Sequence, residues 1–217
     1  MKARRTTAST GSEKNVEVWK NYFDIVILPP PVVRDYAIDL SARLEKYGTK
    51  FVLGKRRYLP HISLYHIPVR PQNFAEFRKE VQTIAKNFDG GELKLRSIEL
   101  PLLMMDKPKW IQQLYIDVVK KTSKYFDWDC GAEDSWNMNL LPANLRVRGK
   151  DYIEKYGTPL IGALFRPHIT LTGFKDTSVV DEISELPFKS MSFQVNTLHI
   201  CELGPAHSCQ RIVAKMP

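Results

Sequence analysis

Pro60-His61-Ile62-Ser63-Leu64 and Pro167-His168-Ile169-Thr170-Leu171 are almost the same pentapeptide written twice in one chain. The second histidine follows the first by 168 − 61 = 107 residues. Each copy reads as a strand, in which side chains alternate between the two faces with period two. His61 and Ser63 then share one face, while Ile62 and Leu64 turn to the core. His168 and Thr170 share a face in the same way, opposite Ile169 and Leu171. Carried further, the polar-face series takes in Tyr65 after the first copy, and Thr172 and Phe174 after the second. If a pseudo-twofold axis relates the two strands, their polar faces line one cleft, with two imidazoles and two hydroxyls around a shared point.

A second echo runs in the same order. Leu44–Thr49 reads LEKYGT and Ile153–Thr158 reads IEKYGT, an offset of 153 − 44 = 109 residues. Lysine near a helix end and glycine just past it are common helix-stop chemistry, which alone would explain this echo. Taken with the paired histidine strands, duplication is the better account. The expected fold class is α+β: a bilobal, pseudo-twofold duplicated fold, with antiparallel sheets lining a central cleft and helices outside.

The rest of the chain divides around these strands. Residues 23–29 form an apolar, β-branched strand. Residues 32–48 have helical spacing and stop at Gly48. Residues 50–54 and 61–69 are strand-like, and 71–88 form a second helix. Residues 92–100 and 111–119 alternate as strands. Residues 121–141, aromatic and acidic, read as a partly helical insertion or connection, in which Trp128 and Trp136 shape a lid or anchor the segment. A helix over 144–157, a strand over 165–174, a short helix over 177–186 and closing strands over 191–203 and 210–216 complete the pattern. Each motif strand lies between helices, and each half then supplies two more strands.

At 217 residues the chain suits one domain or two small lobes sharing a core. Residues 1–20 read as a disordered basic tail, with no apolar stretch to make a secretory signal, and 21–217 as a single bilobal domain. No apolar run reaches membrane-span length. A formal net charge of +8 favours phosphate-bearing partners such as RNA, nucleotides or an anionic surface. Three cysteines without a C-x-x-C pair argue against a disulfide framework and for a reducing, cytoplasmic location. A monomer is expected.

An unperturbed imidazole titrates near pH 6.5, so of two at neutral pH one can act as base and the other as acid. Phosphodiester cleavage needs that pair, one to activate the attacking oxygen and one to protonate the leaving oxygen. Hydroxyls beside them can donate to the phosphoryl oxygens. This arrangement requires no metal and no cofactor.

The two pentapeptides resemble the paired H-x-[S/T]-x signatures of the 2H phosphoesterase superfamily, which includes 2′-5′ RNA ligase-like proteins and 2′,3′-cyclic nucleotide phosphodiesterases. The likeness runs over roughly residues 22–217 in order of elements and is specific at the two motifs. It implies His61 and His168 as the acid/base pair and Ser63 and Thr170 as phosphate donors. It implies hydrolysis of a 2′,3′-cyclic phosphate or related phosphodiester on RNA ends or nucleotides. A non-catalytic RNA- or nucleotide-binding module, or 2′-5′ ligation through the same site, are the alternatives. The gap between motifs is longer than in compact members, with the excess in residues 121–157, which bears on substrate rather than on the centre.

Further candidates lie around the motifs. Arg57 and Arg166 share strand parity with their neighbouring histidines and could border the cleft and bind phosphate. Tyr65 and Phe174 could stack on a base, and Thr172 completes the set of substrate-binding candidates. His66 has the opposite parity to His61 and is expected outside the pair. His199, Cys201, His207 and Cys209 suggest two H-x-C pairs across a hairpin, but their spacing matches no familiar zinc pattern, so no metal site is assigned. There is no phosphate-cradling glycine loop, no G-x-S-x-G and no dinucleotide fingerprint.

Overall fold

The computed structural model describes residues 21–130, 143–159 and 161–216. Eight strands form one sheet: β1 (Tyr22–Ile27), β2 (Ile62–Pro68), β3 (Gly91–Glu99), β4 (Leu102–Met105), β5 (His168–Thr170), β6 (Ser192–Val195), β7 (Leu198–Gly204) and β8 (Ser208–Met216). Their order is β6-β3-β4-β5-β2-β1-β7-β8, and every pairing is antiparallel. The two motif strands are central neighbours that meet at Ile62 and Ile169. Each heads a four-stranded half, β2-β1-β7-β8 on one side and β5-β4-β3-β6 on the other.

The halves are not the two halves of the sequence. β3 and β4 follow the first motif in the chain yet pair beside the second. β7 and β8, at the C-terminal end, return to β1 beside the first motif. Residues 191–203, expected as one strand, break at Asn196-Thr197 into β6 and β7, which lie in opposite halves.

Four α-helices are described: α1 (Pro31–Leu44), α2 (Phe74–Lys86), α3 (Lys109–Thr122) and α4 (Arg146–Tyr156). Val33, Tyr36, Ala37, Leu40 and Leu44 of α1, and Phe77, Val81 and Ile84 of α2, are buried at helical spacing. They pack into one core with Ile25, Ile27, Ile62, Leu64, Leu103, Ile169 and Leu171 of the sheet. Helices thus cover one face of the sheet, and the residues alternating with these aliphatics look out of the other.

Several expected elements change type. Residues 111–119, read as a strand for their β-branched content, lie in α3, where Ile111, Leu114, Tyr115, Val118 and Val119 are buried at the i, i+3, i+4, i+7, i+8 positions of a helix. Residues 50–54 are irregular, and 177–182 form only a 3-10 turn. The strand expected over 165–174 is three residues long. In the inserted segment, 3-10 turns at Ser123–Tyr125 and Trp128–Cys130 follow α3, and the Trp128 ring packs 4.5 Å from Phe126. Residues 131–141 of that segment, with Trp136, lie outside the described residues, as does the tail over 1–20. No helix among the described residues is long and apolar enough to cross a membrane.

The two EKYGT echoes end helices in the same way. Gly48 has φ 74° after the turn that follows α1, and Gly157 has φ 69° directly after α4. Their surroundings differ: a Cβ at Gly48 would meet nothing within 4 Å, whereas one at Gly157 would overlap the Phe126 ring. Gly48→Ala should therefore cost only the left-handed backbone strain, about 1 kcal/mol. Gly157→Ala adds overpacking and should cost about 2–4 kcal/mol. Urea unfolding midpoints of the two variants check this ranking.

Candidate active site

The register at Ile62 and Ile169 decides the site. Carried one residue to either side, it sets Ser63 opposite His168 and His61 opposite Thr170, all on the face away from the helices. Directly opposed side chains in an antiparallel pair have Cβ atoms about 5 Å apart. The four motif residues therefore form one compact quartet, with the imidazoles on one diagonal and the hydroxyls on the other.

Both imidazoles are held alike. His61 Nδ1 donates to the Leu59 carbonyl at 2.7 Å, and His168 Nδ1 donates to the Arg166 carbonyl at 2.6 Å. A carbonyl only accepts, so the proton of each neutral ring sits on Nδ1 and leaves Nε2 as the basic nitrogen. The supporting segments are themselves tied down: Leu59 N–H donates to the Cys209 carbonyl, and Met105 N–H to the Pro167 carbonyl. Burial pushes the pKa of both histidines below the ordinary value. At His61 the Asp24 carboxylate and the Leu59 carbonyl work against that fall. At His168 only the Arg166 carbonyl does, while the charges of His61, Arg166 and His66 add to it.

Asp24 is the residue that the motif analysis missed. It lies in β1 and is completely buried. Ser63 Oγ donates to its Oδ2 at 2.6 Å, His66 Nε2 lies 3.2 Å from the same oxygen, and His61 Nε2 lies 3.5 Å away. Burial would push this carboxyl up, but His66, His61 and the Ser63 hydrogen bond together hold it below the usual carboxylate range. The signal was present in the sequence: one acid in the otherwise apolar run Tyr22–Ile27 must find partners once buried.

His66 joins the site because of a β-bulge. Between β1 and β2 the register slips: Ile25 pairs with Tyr65, but Val26 pairs with Ser63. The extra residue turns both Leu64 and Tyr65 into the core and returns His66 to the face of Ser63. The same slip removes Tyr65 from the cleft. Its ring is 2 % exposed and its hydroxyl donates to the Tyr156 carbonyl at 2.5 Å, so it is not placed to stack on a base. On the other strand β5 ends at Thr170, and the alternation ends with it. Thr172 is fully buried with its hydroxyl on the Phe51 carbonyl at 2.6 Å, and Phe174 is a buried core residue bridged to Thr49. Arg57 Nε donates to Gln210 Oε1 at 2.7 Å on β8. The Arg166 guanidinium pairs with Glu99 and stays close enough to His168 to depress its pKa. The Thr170 hydroxyl makes no hydrogen bond within the described residues.

The β7–β8 hairpin closes the first half of the site. Cys201 and Cys209 are joined by a disulfide across it, with Cα atoms 5.7 Å apart. This single bridge differs from the expectation of no disulfide framework, while Cys130 is an exposed thiol outside it. The period-two spacing showed the two thiols on one hairpin but not the register that brings them together. At the tip, Ala206 (φ 59°) and His207 (φ 53°) take left-handed conformations, and the His207 ring stacks on His66 at 5.2 Å with planes 8° apart. Strained backbone of this kind persists where surrounding contacts dictate it. Among the described residues no group of three or more His, Cys, Asp or Glu side chains is arranged to hold a metal ion.

Burial lowers the His207 pKa to about 4. A group depressed on folding contributes stability that is complete above its unfolded value, near pH 6.5, and is lost as pH falls toward the folded value. Folding stability should thus decline from pH 6.5 to 4, with His207 contributing up to about 3 kcal/mol of the change. In His207→Asn, which keeps a residue tolerant of positive φ, the decline should flatten. Urea unfolding at a series of pH values measures the slope.

No known protein family's sequence profile matches the chain, and no curated protein matches it in sequence. Solved structures do match it in fold. One is TT0787 of Thermus thermophilus, at 15% sequence identity and a TM-score of 0.55, covering 90% of this chain and 96% of that one. Another is E. coli LigT complexed with 3′-AMP, at 15% identity and a TM-score of 0.53, with the same coverage. The eight-stranded antiparallel sheet and its helices are thus the fold of LigT and TT0787, in keeping with the 2H phosphoesterase resemblance that the two motifs carry.

Proposed function

We propose that this chain is a phosphoesterase that opens a 2′,3′-cyclic phosphate, or cleaves a related phosphodiester, on RNA ends or nucleotides. The observation that carries this reading is the quartet across β2 and β5: two imidazoles on one diagonal, each with Nδ1–H donated to a main-chain carbonyl, and two hydroxyls on the other. With Nδ1 occupied, each Nε2 is left to accept or deliver a proton. One takes the proton of the attacking oxygen and the other protonates the leaving oxygen. With the Ser63 proton given to Asp24, the Thr170 hydroxyl is the donor left to stabilise the charge that builds on the phosphoryl oxygens. Both proton transfers come from side chains, so the chemistry needs no metal. The positive net charge and the nucleotide held by LigT support a nucleotide-like, anionic substrate. The same centre run in reverse would join a cyclic phosphate end to a hydroxyl, so ligation is the companion reaction.

The test is turnover of 2′,3′-cyclic nucleotides and of an RNA oligomer ending in a 2′,3′-cyclic phosphate, with EDTA present. Turnover should persist in EDTA and fall about 10²–10⁴-fold in both His61→Ala and His168→Ala. Phosphorus NMR of the product shows which oxygen leaves, and an added 5′-hydroxyl oligomer reports ligation. Loss of turnover in EDTA, or its survival in both variants, would overturn the reading.

A further inference from the structure

The pseudo-twofold axis makes the motifs look equivalent, but the groups behind them are not. Beside the first motif lies Asp24, fully buried, with Oδ2 within 2.6 Å of Ser63 Oγ, 3.2 Å of His66 Nε2 and 3.5 Å of His61 Nε2. Its other oxygen, Oδ1, is buried and makes no hydrogen bond among the described residues. Beside the second motif, β4 stands where β1 stands beside the first. There the residues opposite His168 and Thr170 are Met104 and Leu102. The next acid along, Asp106, accepts the Lys94 main-chain N–H at 2.8 Å.

We propose that Asp24 is a positioning residue that makes the two-histidine pair directional: it keeps the pair's proton on His61 and engages the Ser63 hydroxyl, leaving His168 as the proton acceptor and Thr170 as the hydroxyl that donates to phosphate. This rests on the phosphoesterase reading above. Each imidazole already commits Nδ1–H to a carbonyl, so an added proton goes to Nε2. At His61 that proton meets a carboxylate oxygen. At His168 it meets the charges of His61, His66 and Arg166, with no carboxylate to offset them. The Ser63 hydroxyl has one proton and gives it to Asp24. Thr170 has no competing acceptor among the described residues.

The groups facing Asp24 are His61, Ser63 and His66 from the first-motif strand, Tyr115 from α3 and His207 from the β7–β8 turn. His66 is not the middle of a nucleophile relay. The same Nε2 approaches both Ser63 Oγ and Asp24 Oδ2, whereas a relay uses its two ring nitrogens on opposite partners. In turnover, the oxygen of a water forms the new bond to phosphorus as His168 Nε2 takes the water's proton. The bond from phosphorus to the leaving oxygen breaks as His61 Nε2–H delivers its proton there. Exchange with solvent returns the proton from His168 to His61. Asp24 stays ionised throughout.

The test begins with the histidine titrations of the full chain, followed by nitrogen-15 NMR without substrate, so it stands whether or not turnover is found. His61 should gain its proton at higher pH than His168. Asp24→Asn should lower the His61 midpoint by about one unit or more, without lowering that of His168. Ser63→Ala, which removes the hydroxyl competing for Oδ2, should raise the His61 midpoint, and it carries the test should Asp24→Asn fail to fold. A His61 midpoint unmoved by either change, or a His168 midpoint above it, overturns the proposal. Turnover then supplies a second readout. Asp24→Asn should lose at least tenfold more on a cyclic nucleotide than on a p-nitrophenyl phosphodiester, whose leaving group needs no acid. Equal losses on the two substrates, with both titrations as expected, overturn the directional role. Absent wild-type turnover with the expected titrations overturns only the phosphoesterase reading.

Discussion

The pairing of β2 with β5 at Ile62 and Ile169 is the constraint on which the rest of the structure depends. It joins two four-stranded halves into one sheet and puts the two motif strands side by side. Because the strands run antiparallel, one contact sets the whole quartet. A slip of one residue on either strand would send a histidine and its hydroxyl partner into the core and bring aliphatics to the cleft. That core makes such a slip costly, since Ile62, Leu64, Ile169 and Leu171 are almost completely buried against the helices. Packing on one face therefore fixes the geometry of the other.

Departures from the regular strand do as much for the site as the strand itself. One extra residue in β2 sends Tyr65 inward and His66 outward. Two left-handed residues at a hairpin tip lay His207 on His66. Three of the five histidines in the chain, His61, His66 and His207, gather around a single buried carboxylate, although only His61 belongs to the repeated motif. Such a cluster is held together by burial: Asp24 cannot remain charged out of water without donors, and the His66 imidazole and the Ser63 hydroxyl supply them.

The near-symmetry of the sheet hides an unequal site. The two histidines have matching carbonyl partners but different electrostatic surroundings, and the two hydroxyls differ in whether their proton is already engaged. A near-symmetric scaffold places two imidazoles in register, and one unduplicated contact distinguishes them. Proton transfer in a defined direction needs that distinction, because identical groups share protons without order.

The motif quartet, the α+β class, the pairing of opposed polar faces and most helices were legible in the sequence alone. Each is a local matter of period-two alternation, helical spacing or a helix-ending glycine. Membership of the two halves was not legible, because β3 and β4 choose strand partners across the chain and no local pattern records a partner. Residues 111–119 misled because β-branched side chains suit a strand, while burial at helical spacing decided for α3. Tyr65, Thr172 and Phe174 misled because alternation holds only while a strand stays regular, and a bulge or a strand end resets it. What the sequence by itself determined was which residues make up the two motifs and that each histidine shares a strand face with its hydroxyl residue. Tertiary structure alone decided that Asp24, His66 and His207 stand behind them and that Cys201 meets Cys209, since these contacts join segments up to 207 − 24 = 183 residues apart and arise only when the sheet is assembled.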